Sequence, residues 1–101
     1  MTEYIYGHFS ESVSLNDIAG AGNVSRSQCA KLFHDYTGLS PTTFLNRHRL
    51  EVSCDLLRRT HDSMAAVAQQ CGFADQSYFN RMFIREYGVT PRQYRKSGRT
   101  A

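Results

Sequence analysis

The chain contains no tryptophan and only two prolines, and no apolar run approaches the ~18 residues that a membrane span requires. No signal-peptide pattern opens it. Its three cysteines, Cys29, Cys54 and Cys71, are odd in number, widely spaced and without a CxxC pair. That pattern argues against a disulfide framework or a zinc site and fits a reducing cytoplasm. Cys29 and Cys54 fall at apolar helical positions and read as small buried side chains. His8, His34, His48 and His61 do not cluster. Paired carboxylates and Cys/His or Ser/His/Asp constellations are absent, so no enzyme, no cofactor and no metal are expected. Strand-like alternation is missing as well; the apolar spacing is three and four, that of helices.

What is present is a repeat. Residues 27–44 read SQCAKLFHDYTGLSPTTF and residues 77–94 read SYFNRMFIREYGVTPRQY. At an offset of 50, Ser27 matches Ser77, Phe33 matches Phe83, Gly38 matches Gly88 and Pro41 matches Pro91. Upstream the offset is 49, pairing Ser14 with Ser63, Ile18 with Val67 and Ala19 with Ala68. The slip places one extra residue between the helices of the second copy. Each copy is too short to hold a core alone, so shared elements are expected.

Seven helices are expected. The first covers residues 3–10 and carries Tyr4, Ile5 and Phe9. Ser14 caps the second, with Asp17 in a capping-box position, and the turn Gly20-Ala21-Gly22-Asn23 ends it through glycine's access to left-handed backbone. Ser25 caps a third over residues 26–36, with Cys29, Leu32, Phe33 and Tyr36 inward. Ser40-Pro41 opens a long fourth helix to Arg59, roughly 28 Å at 1.5 Å per residue. Ser63 caps a fifth that ends at Cys71-Gly72-Phe73. Asp75 caps a sixth over residues 76–87, with Phe79, Met82, Phe83 and Tyr87 inward. Thr90-Pro91 opens a last helix to about Lys96, with residues 97–101 frayed. The division expected is residues 1–40 and 61–101 as two helix-turn-helix subdomains on a linker helix, residues 41–60, forming one unit.

Net charge is +3, but residues 1–50 balance four basic against four acidic groups, while Arg81, Arg85, Arg92, Arg95, Lys96 and Arg99 face Glu86 alone after residue 80. A basic end suits a polyanion partner, and from charge alone a solvated tail reads equally well. The outward faces separate the two readings. Gln76, Ser77, Asn80 and Arg81 share one surface of the sixth helix and offer amide, hydroxyl and guanidinium groups, the set that reads base edges. Arg26, Ser27, Ala30, Lys31 and His34 form the matching face in the first copy. Neither face carries an acid, whereas a merely solvated face more often mixes Glu with Lys. The alternative is a helical protein–protein module with weak DNA binding.

The second copy contains A-x-x-C-G-F-x-D-x-S-Y-F-x-R-x-F-x-x-x-x-G-x-T-P-x-x-Y-R, from Ala68 to Arg95. This resembles the signature of the AraC/XylS family of bacterial transcription regulators. Arg49-Leu50 and Leu56-Leu57 on the long helix match too, and the resemblance covers residues 4–95. It implies an all-α, seven-helix domain with two helix-turn-helix subdomains joined by a long linker helix. It further implies double-stranded DNA as partner, read by two recognition helices in successive major-groove segments. By position, Arg26, Ser27, Ala30, Lys31, Gln76, Ser77, Asn80 and Arg81 fall to base contact, and Ser25, Thr42, Tyr78 and Arg92 to phosphate. Ala30 offers only an apolar contact, and Ser53 stands where members usually carry alanine. Gly20 and Gly22 imply a flexible first turn. RNA polymerase is a further partner expected from the family. So is an N-terminal effector or dimerisation domain, an expectation that the abrupt first helix reinforces.

Arg49 and Arg95 read as structural, pairing with an acid across helices. Arg47, Arg58, Arg59 and Arg99 read as a solvated face with phosphate contact as the alternative.

Overall fold

The computed structural model describes the backbone of residues 1–100 and the side chains of residues 1–97. Seven helices form, with no strand among the described residues: α1 Thr2–His8, α2 Leu15–Ala21, α3 Arg26–Thr37, α4 Pro41–Arg59, α5 Met64–Gln70, α6 Gln76–Tyr87 and α7 Pro91–Thr100. No helix among the described residues is long and apolar enough to cross a membrane. The chain divides into two compact units, residues 1–48 and 49–101. The boundary falls inside α4, so one helix contributes to both cores.

In the first unit Ile5, Ile18, Ala19, Cys29, Phe33 and Leu45 close the core. Phe33 meets Phe44 edge-on, ring centroids 5.5 Å apart. His48 is held edge-on between Tyr6 and Phe9, 4.8 Å from each. In the second unit Leu50, Cys54 and Leu57 leave α4 at the i, i+4, i+7 spacing of one helix face and meet Val67, Phe79 and Phe83. Phe79 and Phe83 are fully buried and pack edge to face at 5.8 Å. Burial of a side chain of that size contributes about 1.5–3 kcal/mol. Ser53 is buried on α4, and its hydroxyl donates to the Leu50 carbonyl at 2.6 Å, so it carries no unpaired donor into the core.

Side-chain caps fix where the helices begin. Ser14 and Asp17 form the expected capping box at α2. Two more boxes occur, Ser25 with Gln28 at α3 and Thr90 with Gln93 at α7. Ser63 and Asp75 cap α5 and α6 by accepting from the backbone N–H of Ala66 and Tyr78. Gly38 and Gly88 end α3 and α6 at φ +75 and +77, a left-handed conformation that glycine adopts without penalty.

The slip in the repeat has a definite location. The Val24 N–H donates to the Ala19 carbonyl, and the Phe73 N–H donates to the Ala68 carbonyl, which is the offset of 49. The caps Ser25 and Asp75 follow at 50, so the inserted residue is Ala74.

Several expectations change. Tyr36, assigned to the inward stripe of α3, is 85% exposed. It sits in the last turn of the helix, where the expected stripe has run past the core. Tyr87 is also exposed, although its ring lies against Phe83 at 4.7 Å. In the first turn Asn23 takes the left-handed position at φ 54. Gly22 has φ −92 and Gly20 lies within α2, so neither glycine supplies the turn. The last helix extends past Lys96, through the segment expected to fray; Ala101 lies outside the described residues.

Candidate nucleic-acid interface

On α3, Arg26, Ser27, Ala30 and Lys31 are all exposed, and Cys29 and Phe33 on the opposite face hold the helix to the core. The first unit therefore presents one polar, basic stripe with Ala30 as a flat apolar step in it. Ser25 is exposed at the head of this helix. Its hydroxyl accepts from the Gln28 N–H at 3.2 Å and donates to Gln28 Oε1 at 3.4 Å. Thr42 is exposed on the first turn of α4, a separate element.

On α6, Gln76, Ser77 and Arg81 are exposed and Asn80 is half-buried. Phe79 and Phe83 anchor the other face. Tyr78 is half-buried, with its ring 6.1 Å from that of Phe73. The Arg81 guanidinium lies over the Tyr78 ring at 5.8 Å. Stacking of this kind holds a long side chain in place while leaving its N–H edge free to donate. Neither stripe carries an acid, so both present hydrogen-bond donors toward an incoming acceptor.

Arg92 is exposed at the start of α7 and lines an open cleft of about 420 Å³ together with Gln76, Arg95 and His61. The cleft joins the head of α6 to a second basic helix. Sequence spacing did not reveal this convergence, because residues 61, 76 and 92 meet only through the packing of α5, α6 and α7. The i, i+3 spacing of Tyr78 and Arg81 puts the two side chains one turn apart on α6, within stacking reach.

Arg49 and Arg95 are tied into the fold. Arg49 is buried, its guanidinium 6.0 Å over the Phe73 ring. Burial lowers its pKa, opposed by Tyr78 and Cys71. The side-chain Nε–H of Arg95 donates to the Leu57 carbonyl at 3.1 Å, fastening α7 to α4. Arg58 donates to the Tyr94 hydroxyl at 2.8 Å, and Arg59 pairs with Asp55 at 2.9 Å on the same helix. Arg47 is exposed, and the side chain of Arg99 lies outside the described residues.

All three cysteines are free and buried. Burial pushes the Cys71 thiol up to about 12; Cys54 adds to the rise and Arg49 opposes it. Burial also raises Cys29 and Tyr94. Asp17 is lowered, first by the Ser14 backbone N–H and then by its hydroxyl.

A family profile described as a helix-turn-helix domain matches residues 18–97. The chain belongs to the AraC family of helix-turn-helix domains. It is similar to the transcriptional activator RhaS of Escherichia fergusonii, 40% identical over 98 residues, covering 97% of this chain and 35% of that protein. It is also similar to the transcriptional regulator MtrA of Neisseria gonorrhoeae, 40% identical over 85 residues, covering 84% of this chain and 28% of that protein. The chain thus spans about a third of the length of these relatives. Among solved structures it resembles the DNA-binding domain of AdpA in complex with a target DNA. The TM-score is 0.94 at 26% identity, covering 98% of this chain and 89% of that one. The C-terminal domain of the response regulator AraT from Geobacillus stearothermophilus superposes with a TM-score of 0.89 at 31% identity, covering 94% and 79%.

Proposed function

We propose that this chain binds double-stranded DNA at specific sequences and regulates bacterial transcription. In this reading α3 and α6 each enter a major-groove segment. Arg26, Ser27, Ala30 and Lys31 face bases from α3; Gln76, Ser77, Asn80 and Arg81 face them from α6. Ser25, Thr42, Tyr78 and Arg92 face phosphates. The observation that carries the reading is the pair of acid-free, donor-rich stripes, each on a helix pinned by its buried face, Cys29 and Phe33 on α3 and Phe79 and Phe83 on α6. The solved DNA complex of a domain with this fold supports it.

Residues that differ between the stripes, Ala30 against Asn80 and Arg26 against Gln76, make the expected site asymmetric. α6 offers more hydrogen-bonding groups and adjoins the Arg92 cleft, so it carries more of the recognition. RNA polymerase and an N-terminal effector or dimerisation domain belong to this proposal as partners, and the cytoplasm as its compartment.

Selection of bound sequences from a random duplex pool tests it. The expected result is a consensus of two unlike elements. A pool that shows no enrichment after repeated rounds overturns sequence-specific binding.

A further inference from the structure

Asn80 differs from its neighbours on the α6 stripe. It is half-buried, and its side-chain oxygen is inaccessible to solvent and has no hydrogen-bond partner. Gln76, Ser77 and Arg81 around it are exposed. A buried acceptor without a partner is uncommon in folded proteins and marks a place where something other than stability sets the residue. Turning the amide over would bury its two N–H donors in the same unpartnered place. Orphaned buried N–H groups are rarer than under-satisfied C=O groups, so the oxygen-in orientation is the favoured one. The group left to face outward is the NH2, a donor.

An asparagine that pairs with adenine in the major groove uses both amide atoms, the oxygen accepting from N6 and the NH2 donating to N7. Asn80 has one of these atoms on offer. From this we infer that Asn80 is a donor-only specificity residue: it selects a base edge made of acceptors, guanine first through O6 and N7 and thymine second through O4, and it disfavours cytosine, whose major-groove edge is a donor. The inference rests on α6 being a base-reading helix. It goes further by assigning the chemical class of the edge read at one position.

The test is selection and titration with the 101-residue chain, its Asn80→Ala variant and its Asn80→Gln variant. The wild-type consensus should contain guanine or thymine at a position next to the one set by Arg81. Cytosine there should weaken binding roughly three- to tenfold, the yield of one neutral hydrogen bond. Asn80→Ala should flatten the preference at that position alone. Asn80→Gln, whose added methylene carries both amide atoms clear of the helix surface, should shift the preference toward adenine. Replacing a selected guanine by 7-deazaguanine, which lacks the N7 acceptor, should weaken the wild type and leave Asn80→Ala unchanged. An adenine preference in the wild type that Asn80→Ala abolishes overturns the inference, as does a sharp consensus that Asn80→Ala leaves intact. Failure to select any consensus defeats the base-reading helix itself, a different result from either.

Discussion

The Arg81 guanidinium lies 5.8 Å over the ring of Tyr78, one turn back on α6. Tyr78 in turn rests on Phe73 in the core. A chain of contacts therefore runs from the hydrophobic core to the tip of an exposed arginine. The stack limits the rotamers open to Arg81 before any partner arrives, which reduces the entropy lost when its N–H groups engage an acceptor.

Tyr78→Leu keeps an apolar side chain on the core but removes both the stacking platform and the hydroxyl proposed to face phosphate. It is therefore compared with Tyr78→Phe, which loses the hydroxyl alone and keeps the stack. Relative to Tyr78→Phe, binding of Tyr78→Leu to the selected duplex should fall by about 0.5–1 kcal/mol, the worth of an exposed cation–π contact. Thermal stability should change little. A titration paired with a thermal melt checks this: equal affinity of the two variants would show that the stack does not prepare Arg81.

Arg92→Ala should weaken binding to all sequences alike and flatten the dependence of log K on log salt, with the slope reduced by about one unit. A salt series on one selected and one scrambled duplex reads both quantities. An unaltered slope would remove Arg92 from the phosphate contacts.

Phe83→Ala should destabilise the second unit by about 3–5 kcal/mol, since the ring is fully buried between Phe79, Tyr87 and Tyr94. Gly88→Ala places a Cβ at φ +77, where open space removes any clash and leaves only backbone strain of about 1–2 kcal/mol. Urea unfolding followed by circular dichroism should rank the two in that order. Equal effects would contradict the packing described.

Cys71 gives a pH prediction. Its folded pKa of about 12 exceeds the ordinary thiol value of 9.0, so the folded state holds the proton where the unfolded chain has lost it. Stability from this group is fully present below pH ~9 and declines as pH rises toward 12. Melts at rising pH should show that decline, and Cys71→Ala should lessen it. The folded protein should leave Cys71 unalkylated at pH 8. Rapid labelling there would show the thiol to be accessible.

Most of the fold was legible because the helices announce their own ends. Ser14, Ser25, Ser63 and Asp75 each stand one residue before a helix, and Gly38 and Gly88 one residue after. These signals are local and need no tertiary knowledge. The misreadings arose where position along a helix and position in the fold diverge. Tyr36 continues the apolar period of α3 but lies beyond the core that the period serves. Asn23, not glycine, takes the left-handed turn position, because asparagine tolerates that conformation and periodicity does not reveal backbone sign. The slip in the repeat was countable, but its assignment to Ala74 required the paired backbone bonds of Val24 and Phe73.

The polar stripes were readable in the same way, since exposure on a helix follows once the buried face is known. The cleft joining Gln76, His61, Arg92 and Arg95 was not, because it depends on three helices meeting. The buried oxygen of Asn80 was beyond reach too: a sequence shows which group a residue carries, not which of its atoms faces out.

The most direct measurement is the affinity of wild type, Arg81→Ala and Lys31→Ala for a selected duplex and a scrambled one at the same salt. The stripes on α3 and α6 predict that each variant loses about tenfold or more on the selected duplex, within the 1–3 kcal/mol of a specific base contact, and far less on the scrambled one. Equal losses on both duplexes would contradict base reading by these helices and leave only electrostatic attraction to the DNA backbone.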